Sequence, residues 1–151
     1  WPGRWQRLRA GDRQVILEAA HNEEGAAALD QNLRALIAAE SRRLVVVVGV
    51  LGATRAKPLL AVIARHASAT HLVVPRQSRA CSHDELASLL PEGVHVPVHR
   101  STLAELFPPG SCQAGQPGDT VVVTGSIYLV GEVLSRLEPH RGPLEDHLQD
   151  F

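Results

Sequence analysis

Short runs of valine, isoleucine and leucine alternate along this chain with longer stretches in which apolar residues recur at helical spacing. The clearest run, Leu44 to Val50, is too short for a helix and has the continuous apolar character of a strand buried on both faces. The clearest helical stretch, Glu23 to Ala39, places its apolar residues on one face. Strands that alternate with helices are typical of a parallel sheet covered by helices. The pattern therefore predicts an α/β, Rossmann-like three-layer domain.

The remaining segments predict a mostly parallel sheet of about six strands with one antiparallel edge strand. Trp5 to Arg9 alternates and is followed by a turn-like segment, which predicts a hairpin with the strand Gln14 to Ala20. Pro58 is predicted in the first turn of a second helix, where its missing N–H is tolerated. The stretch 108–118, rich in Pro and Gly, is predicted to be a surface loop. Three further strands and a last helix are predicted at Thr70 to Pro75, Val94 to Val98, Thr120 to Thr124, and Gly125 to about Leu137.

Length and composition limit the classes of protein that this chain can belong to. Its 151 residues suit one core, which we place at 1–138, followed by a charged tail at 139–151. Because 15 basic residues nearly balance 16 acidic ones, nucleic acid and anionic membrane are not the expected partners. No apolar run approaches the roughly 20 residues of a membrane span, and the start of the chain has no signal-peptide pattern. We expect a soluble, cytoplasmic domain with Cys81 and Cys112 reduced.

Three of the predicted strands end in short turns of small residues that lead directly into helices. These junctions lie at 18–24, 49–55 and 124–127. Because parallel strands end at the same edge of a sheet, their polar side chains are predicted to converge in one crevice, where free helix N–H groups favour a carboxylate or phosphate. The side chains are Glu18, His21, Asn22, Thr54, Arg55, Thr124 and Ser126. No GxGxxG or GxxxxGK[ST] motif is present, so this crevice is not predicted to grip a nucleoside triphosphate unaided.

Four motifs in this order resemble the folylpolyglutamate synthase/dihydrofolate synthase family, and specifically its carboxyl-terminal Mur ligase domain. They are Trp-Pro-Gly-Arg-Trp-Gln at 1–6, Ile-Leu-Glu-Ala-Ala-His-Asn at 16–22, Gly-Val-Leu at 49–51 and Thr-Gly-Ser-Ile-Tyr-Leu-Val-Gly at 124–131. The resemblance covers residues 1 to about 138. The first and last motifs are typical of the folate branch, and the two middle motifs occur more widely among Mur ligases.

The resemblance implies a domain of an ATP-dependent amide ligase that adds glutamate to a folate through an acyl phosphate. In that family the phosphate loop and the magnesium ligands belong to an amino-terminal ATPase domain, which this sequence lacks. ATP and Mg²⁺ are therefore held mainly by that domain. The chain alone is therefore expected to be inactive, and that ATPase domain, glutamate and a folate are its expected partners. By motif position, Arg4 and Glu18 correspond to nucleotide-binding residues. His21, Asn22 and Ser126 correspond to the glutamate site, and no residue is assigned as nucleophile or general base.

Several positions depart from the family pattern and leave other readings open. Glu18 stands where the family usually has Asp, Glu23 stands where Pro is usual, and 52–57 offers cations where an Asp-Lys-Asp cluster is common. Glu18 also fits a structural ion pair with Arg4 or Arg55, and Ser126 fits a simple helix N-cap. The alternatives are a non-catalytic binding or docking module on the same scaffold, or the equivalent domain of another Mur-type ligase.

Overall fold

The computed structural model describes residues 3–139, so nearly all of the predicted tail lies outside the described residues. Strands and helices alternate after an initial hairpin, as the sequence predicts. The strands are β1 (Gln6–Ala10), β2 (Arg13–Glu18), β3 (Leu44–Val48), β4 (Ala69–Leu72), β5 (Val98–Arg100) and β6 (Thr120–Thr124). The helices are α1 (Glu23–Ala39), α2 (Ala53–His66), α3 (His83–Leu89), α4 (Leu103–Leu106) and α5 (Ile127–Leu137).

All six strands form one sheet in the order β1-β2-β6-β3-β4-β5. β1 pairs with β2 antiparallel, and every other pairing in the sheet is parallel. The predicted α/β fold, with its single antiparallel edge strand, is confirmed. β6 lies between β2 and β3, so the three strands that precede the predicted crevice are neighbours.

The sheet is buried on both faces because its central strands are apolar at every position. In β3 and β6 all five residues are buried. Successive side chains point to opposite faces, so Val45 and Val47 pack with α5 on one side while Val46 and Val48 pack with α1 and α2 on the other. Two apolar cores therefore hold the strand ends in fixed positions relative to the helices that follow them.

Two boundaries differ from the sequence prediction. α2 begins at Ala53, so Pro58 lies inside the helix rather than in its first turn. β5 begins after Pro97, whereas the strand was predicted at Val94 to Val98. Proline has no N–H to donate, and its carbonyl instead accepts the Thr70 N–H at 3.0 Å, which starts the pairing with β4. β5 is the edge strand opposite β1, a position that a neighbouring proline tolerates.

The predicted loop at 108–118 is only partly a surface segment. Cys112 and Ala114 are buried in the core on the α5 side of the sheet. Arg13 donates to the carbonyl oxygens of Ala114 and Gly115 at 2.8 and 2.9 Å, which ties the loop to β2. Cys112 and Cys81 lie in different cores, and both are free thiols as predicted. Among residues 3–139 no helix has the length and apolar character needed to cross a membrane.

Candidate functional site

The carboxyl ends of β2, β6 and β3 lie side by side. Glu18 is in register with Thr124, which is in register with Val48 on its other side. The strands then turn into α1, α5 and α2, and the Gly49 N–H donates to the Thr124 carbonyl at 3.3 Å across two of the turns. The predicted convergence of three strand-to-helix junctions is therefore present in the structure.

Gly125 is what allows the β6 and β3 turns to approach so closely. Its φ of +116° is a conformation that side chains rarely adopt, and a Cβ placed there would lie 2.3 Å from the Gly49 carbonyl oxygen. Only a glycine relieves both the strain and the contact. This close approach brings the first residues of α5 next to the β3–α2 turn, and a cavity forms between them.

The cavity at this edge, which we call the junction cavity, has a volume of about 120 Å³. No acidic side chain is among the residues that line it, whereas two guanidinium groups and one imidazole are. Its lining consists of His21, Leu51, Arg55, Arg79, Gly125, Ser126, Ile127 and Tyr128. Cationic side chains without a neighbouring acid make the junction cavity suited to an anion.

His21 reaches the junction cavity with one ring nitrogen committed to the backbone. Its Nδ1 lies 2.9 Å from the Ala19 carbonyl oxygen, and because a carbonyl only accepts, Nδ1 must carry the proton of that hydrogen bond. This leaves Nε2 for a ligand. Nε2 accepts a hydrogen bond when the ring is neutral and donates one when the ring is protonated.

Ser126 serves both as a helix cap and as part of the cavity lining. Its Oγ accepts the Tyr128 N–H at 3.0 Å at the start of α5, and the residue is 3% exposed. That bond uses an oxygen lone pair and leaves the hydroxyl proton available to donate to a ligand oxygen. Beside it, the buried Thr124 Oγ1 has no partner among residues 3–139.

Arg4 and Glu18 form a separate pair at the end of β2 and are not among the residues lining the junction cavity. Burial raises the pKa of Glu18, while a hydrogen bond from the Trp5 backbone N–H and the charge of Arg4 lower it. The segment is held by the Ala19 N–H, which donates to the Gly3 carbonyl at 2.7 Å. Trp5 has a φ of +50°, an unfavourable conformation for a residue with a side chain.

Asn22 lies at the start of α1, and its side chain already has a structural task. Its Oδ1 accepts the Gly25 N–H at 2.8 Å as the N-cap of the helix. The residue lines a more open neighbouring cavity, together with Thr54 and Lys57. Arg55 lines both cavities and so connects them. The amide nitrogen of Asn22 remains the part of the side chain that can reach a ligand.

Sequence reasoning missed Arg79 and Tyr128 as members of this site. Arg79 lies in the loop between β4 and α3, a part of the chain with no recognised motif. Its carbonyl accepts the Gly52 N–H at 3.2 Å, and the Cys81 N–H donates to the Val50 carbonyl at 2.8 Å, which fixes the loop against the β3–α2 turn. No periodicity in the sequence encodes that contact, since it joins a loop to a turn. Tyr128 was quoted only as part of a motif.

A metal ligand set is not formed by the residues that the structure describes. Within 3–139 no group of three or more histidine, cysteine, aspartate or glutamate side chains is arranged to hold a metal ion. We therefore assign none of this chain's described side chains a role as a metal ligand.

The fold and the junction cavity together define an α/β domain with a cationic cavity at the carboxyl edge of a parallel sheet. Residues 3–127 match the family described as Mur ligase, glutamate ligase domain. The chain belongs to this family, and the resemblance noted from the sequence motifs is confirmed.

Solved structures with the same fold include folylpolyglutamate synthases. The chain is 27% identical to the Mycobacterium tuberculosis folylpolyglutamate synthase complexed with ADP, with a TM-score of 0.69 over 95% of this chain and 33% of that one. It is 22% identical to E. coli FolC in complex with DHPP and ADP, with a TM-score of 0.75 over 94% and 32%. It is also 22% identical to the bifunctional folylpolyglutamate synthase/dihydrofolate synthase with Mn, AMPPNP and L-glutamate bound, with a TM-score of 0.68 over 91% and 32%.

The chain thus spans about a third of the length of the solved structures that it matches. No curated protein matches it in sequence. The chain shares one domain with these structures. Any activity of the whole protein is therefore treated as a proposal.

Proposed function

We propose that this chain is the glutamate-binding domain of an ATP-dependent ligase that adds glutamate to a folate. The observation that carries the proposal is the junction cavity, where His21, Arg55, Arg79 and Ser126 meet with no acid in the lining. Glutamate differs from most amino acids in carrying a second carboxylate. A cavity with two guanidinium groups suits that extra negative charge.

Each residue has a role in binding rather than in proton transfer. Arg55 and Arg79 hold the side-chain carboxylate of glutamate, and the Ser126 hydroxyl donates to a carboxylate oxygen. His21 Nε2 contacts the amino acid, accepting from its amino group when neutral. Asn22 contributes its amide nitrogen at the edge of the site. Their combined task is to orient the amino group toward the reacting carbon.

The proposed reaction has two steps, and neither uses a covalent bond to this chain. The folate carboxylate attacks the γ-phosphorus of ATP, which forms an acyl phosphate and releases ADP. The glutamate amino group, after losing a proton, then attacks the acyl carbon and expels phosphate, so that an amide bond forms. Holding both reactants in place converts the second step into an effectively intramolecular one.

Arg4 and Glu18 are proposed to position the nucleotide, which is bound mainly by an amino-terminal ATPase domain of the same protein. Two features support this division. The sequence has no phosphate-binding loop, and the junction cavity of about 120 Å³ is small compared with the roughly 300–1,000 Å³ of complete small-molecule sites. The same partner domain would hold Mg²⁺ with the phosphates, whose charge it would neutralise.

Titration of this chain with L-glutamate tests the assignment of the junction cavity. We expect saturable chemical-shift changes at the backbone amides of Gly125 and Tyr128 in nitrogen-15 correlation spectra. Arg79→Gln should weaken binding about tenfold, because it removes a charge-assisted hydrogen bond. L-Glutamine, which lacks the second carboxylate, should bind about tenfold more weakly than L-glutamate for the same reason.

The matched control is Arg9→Gln, which removes an exposed guanidinium on β1 and should leave the affinity unchanged. Equal affinities for glutamate and glutamine would contradict the proposal that the two arginines bind the side-chain carboxylate. The reading frame upstream of Trp1 gives an independent check. A GxxxxGK[ST] strand, loop and helix there supports the ligase, and a frame without one supports a non-catalytic binding module.

A further inference from the structure

A second cationic cavity lies on the same edge of the sheet, beyond β3. It has a volume of about 210 Å³ and forms where β4 and β5 end against the outer face of α5. We call it the β4–β5 cavity. Its lining consists of Val74, Arg76, His83, Ser101, Thr102, Leu103, Ala104, Glu132 and Arg136. None of these residues lines the junction cavity or belongs to the motifs that carry the proposed function.

The two cavities are separate sites on one rigid helix. Ser126, at the start of α5, lines the junction cavity, whereas Glu132 and Arg136 line the β4–β5 cavity. At a rise of 1.5 Å per residue, these two residues lie about 9 and 15 Å along the helix from Ser126. The two linings share no residue, so the cavities are distinct.

The β4–β5 cavity is lined by two guanidinium groups and one carboxylate, which leaves an excess of positive charge. Among residues 3–139 neither Arg76 nor Arg136 forms an ion pair. The Arg136 side chain donates to the Phe107 carbonyl at 3.2 Å, which holds it at the cavity wall. The one carboxylate in the lining, Glu132, accepts the Arg76 backbone N–H at 2.6 Å. Glu132 thus binds the backbone of Arg76, and no ion pair with the Arg76 guanidinium group is formed among the described residues.

Neutral donors in the lining are held in place by a network behind them. Ser101 is 6% exposed, and its Oγ lies 2.8 Å from His71 Nδ1. The His71 ring stacks on His99 with centroids 4.9 Å apart. Burial lowers the pKa of His71, and the His99 charge acts in the same direction against the opposing effect of Glu105. In the His71 tautomer with its proton on Nδ1, the ring donates to Ser101 Oγ, and the Ser101 hydroxyl proton is then available to a ligand.

His83 is held by a bond to the backbone. Its Nε2 lies 3.0 Å from the Ser101 carbonyl oxygen, so Nε2 carries the proton of that bond, and Nδ1 of the neutral ring is an acceptor that does not donate to an oxyanion. Apolar surface completes the lining, from the 41%-exposed Val74 and from Leu103 and Ala104. The cavity thus combines two cationic donors and a hydroxyl group with an apolar wall.

We propose that the β4–β5 cavity is a second binding site, which takes a small oxyanion, a carboxylate or a phosphate monoester, carried on a compact apolar group. The oxyanion lies between Arg76 and Arg136 and accepts from Ser101, and the apolar group packs on Val74 and Leu103. This site is independent of the proposed glutamate site, and the two can be tested separately in one protein.

The test is a titration of this chain with inorganic phosphate and with benzoate, followed residue by residue in nitrogen-15 correlation spectra. We expect saturable changes at the amides of Thr102 and Ala104. Arg76→Gln should weaken binding about tenfold, because it removes a charged donor while the backbone bond to Glu132 is kept. Glu132→Gln should strengthen binding about threefold, since it removes the one negative charge and retains the acceptor oxygen.

Two further variants distinguish binding in the β4–β5 cavity from binding in the junction cavity. Arg79→Gln, in the junction cavity, should leave the changes at Thr102 and Ala104 intact. Arg136→Gln should reduce them, and its spectrum reports whether the fold is retained. Changes confined to Gly125 and Tyr128, changes that rise linearly without saturation, or a Glu132→Gln variant that binds no more tightly would overturn the proposal. Tighter binding of benzoate identifies a carboxylate ligand, and tighter binding of phosphate identifies a phosphate monoester.

Discussion

Glu18 is a half-buried carboxylate whose surroundings raise its pKa, and such groups concentrate at functional sites. The charge of Arg4, an exposed residue, lowers this pKa, but burial remains the largest cause of the shift. The strained φ of Trp5 accompanies the bond that its N–H makes to Glu18. A purely structural ion pair would gain stability from its charges. Here burial disfavours the ionised form more than Arg4 and the Trp5 N–H favour it.

Glu18→Gln is expected to stabilise the chain at neutral pH. The folded state binds the Glu18 proton more tightly than the unfolded state, so the wild-type free energy of unfolding falls as pH rises from about 4.5 through the raised pKa. Glutamine keeps an acceptor for the Trp5 N–H and removes that dependence. Urea unfolding at pH 7 should show an increase of about 0.5–1 kcal/mol.

The control for this experiment is the same comparison below pH 4, where the two proteins should differ little because Glu18 is protonated in both states. Lower stability of the variant at pH 7 would mean that the carboxylate stabilises the fold, and the structural ion pair with Arg4 would then be the better reading. Measuring both pH values in one buffer series separates these outcomes.

The residues of the junction cavity differ in whether the sequence could predict their positions. His21 and Ser126 follow strands directly, so strand patterns and motif positions in the sequence predicted that they would converge. Arg79 enters through a loop that pairs with the β3–α2 turn by backbone bonds such as Gly52 N–H to Arg79 carbonyl. Backbone pairing between irregular segments leaves no side-chain pattern, so this arginine could not be predicted.

Among the elements, the junction between β6 and α5 is the most constrained. Gly125 combines a positive φ with a close approach to Gly49, whereas Gly118 has a positive φ of +91° and no atom within 4 Å of the position that a Cβ would take. The two glycines therefore separate backbone strain from crowding. They form a matched pair for mutation.

Gly125→Ala is expected to lower the free energy of unfolding by about 3 kcal/mol or more, because strain and overpacking add. Gly118→Ala should lower it by only about 1–2 kcal/mol, which reflects the strain alone. Chemical unfolding of both variants measures the difference. Similar losses in the two proteins would show that the contact with Gly49 relaxes at little cost, and the close packing of the two turns would then not be essential.

Element boundaries show where local preferences were overridden. α2 was expected to begin near Pro58, but it extends to Ala53 because Ala56 and Leu59 are both buried against the core. That burial offsets the hydrogen bond that proline cannot make inside a helix. In β5 the proline had the opposite effect, and pairing starts beyond it. The sequence contains both prolines, but only the packing of each segment determines its effect.

At the scale of the whole molecule, the proposed ligase needs more than the described residues offer. Its cationic cavity is open at the carboxyl edge of the sheet, and the described residues offer no phosphate loop and no metal ligand set. The solved structures of the same fold are about three times as long as this chain. The proposed ligase therefore needs a second domain at this edge.

The chain by itself is expected to be inactive as a ligase. Incubation with ATP, Mg²⁺, glutamate and either dihydropteroate or tetrahydrofolate should release no phosphate above the background without protein, because the sequence has no phosphate-loop motif to hold the β- and γ-phosphates for transfer. The measurement is a colorimetric phosphate assay over hours. Robust release that is lost in both Arg4→Ala and His21→Ala would contradict this expectation and place catalytic groups within the chain.

The sequence by itself determined the α/β class, the antiparallel edge, the three strand-to-helix junctions and the family to which the chain belongs. It did so because strand and helix periods, turn residues and motifs are local properties of the chain. Only the tertiary structure decided that β6 lies between β2 and β3, that Arg79 faces His21 and Ser126 across one cavity, and that a second cationic cavity lies beside α5. These contacts join residues far apart in sequence, and the packing of the two cores, not any local pattern, sets their distances.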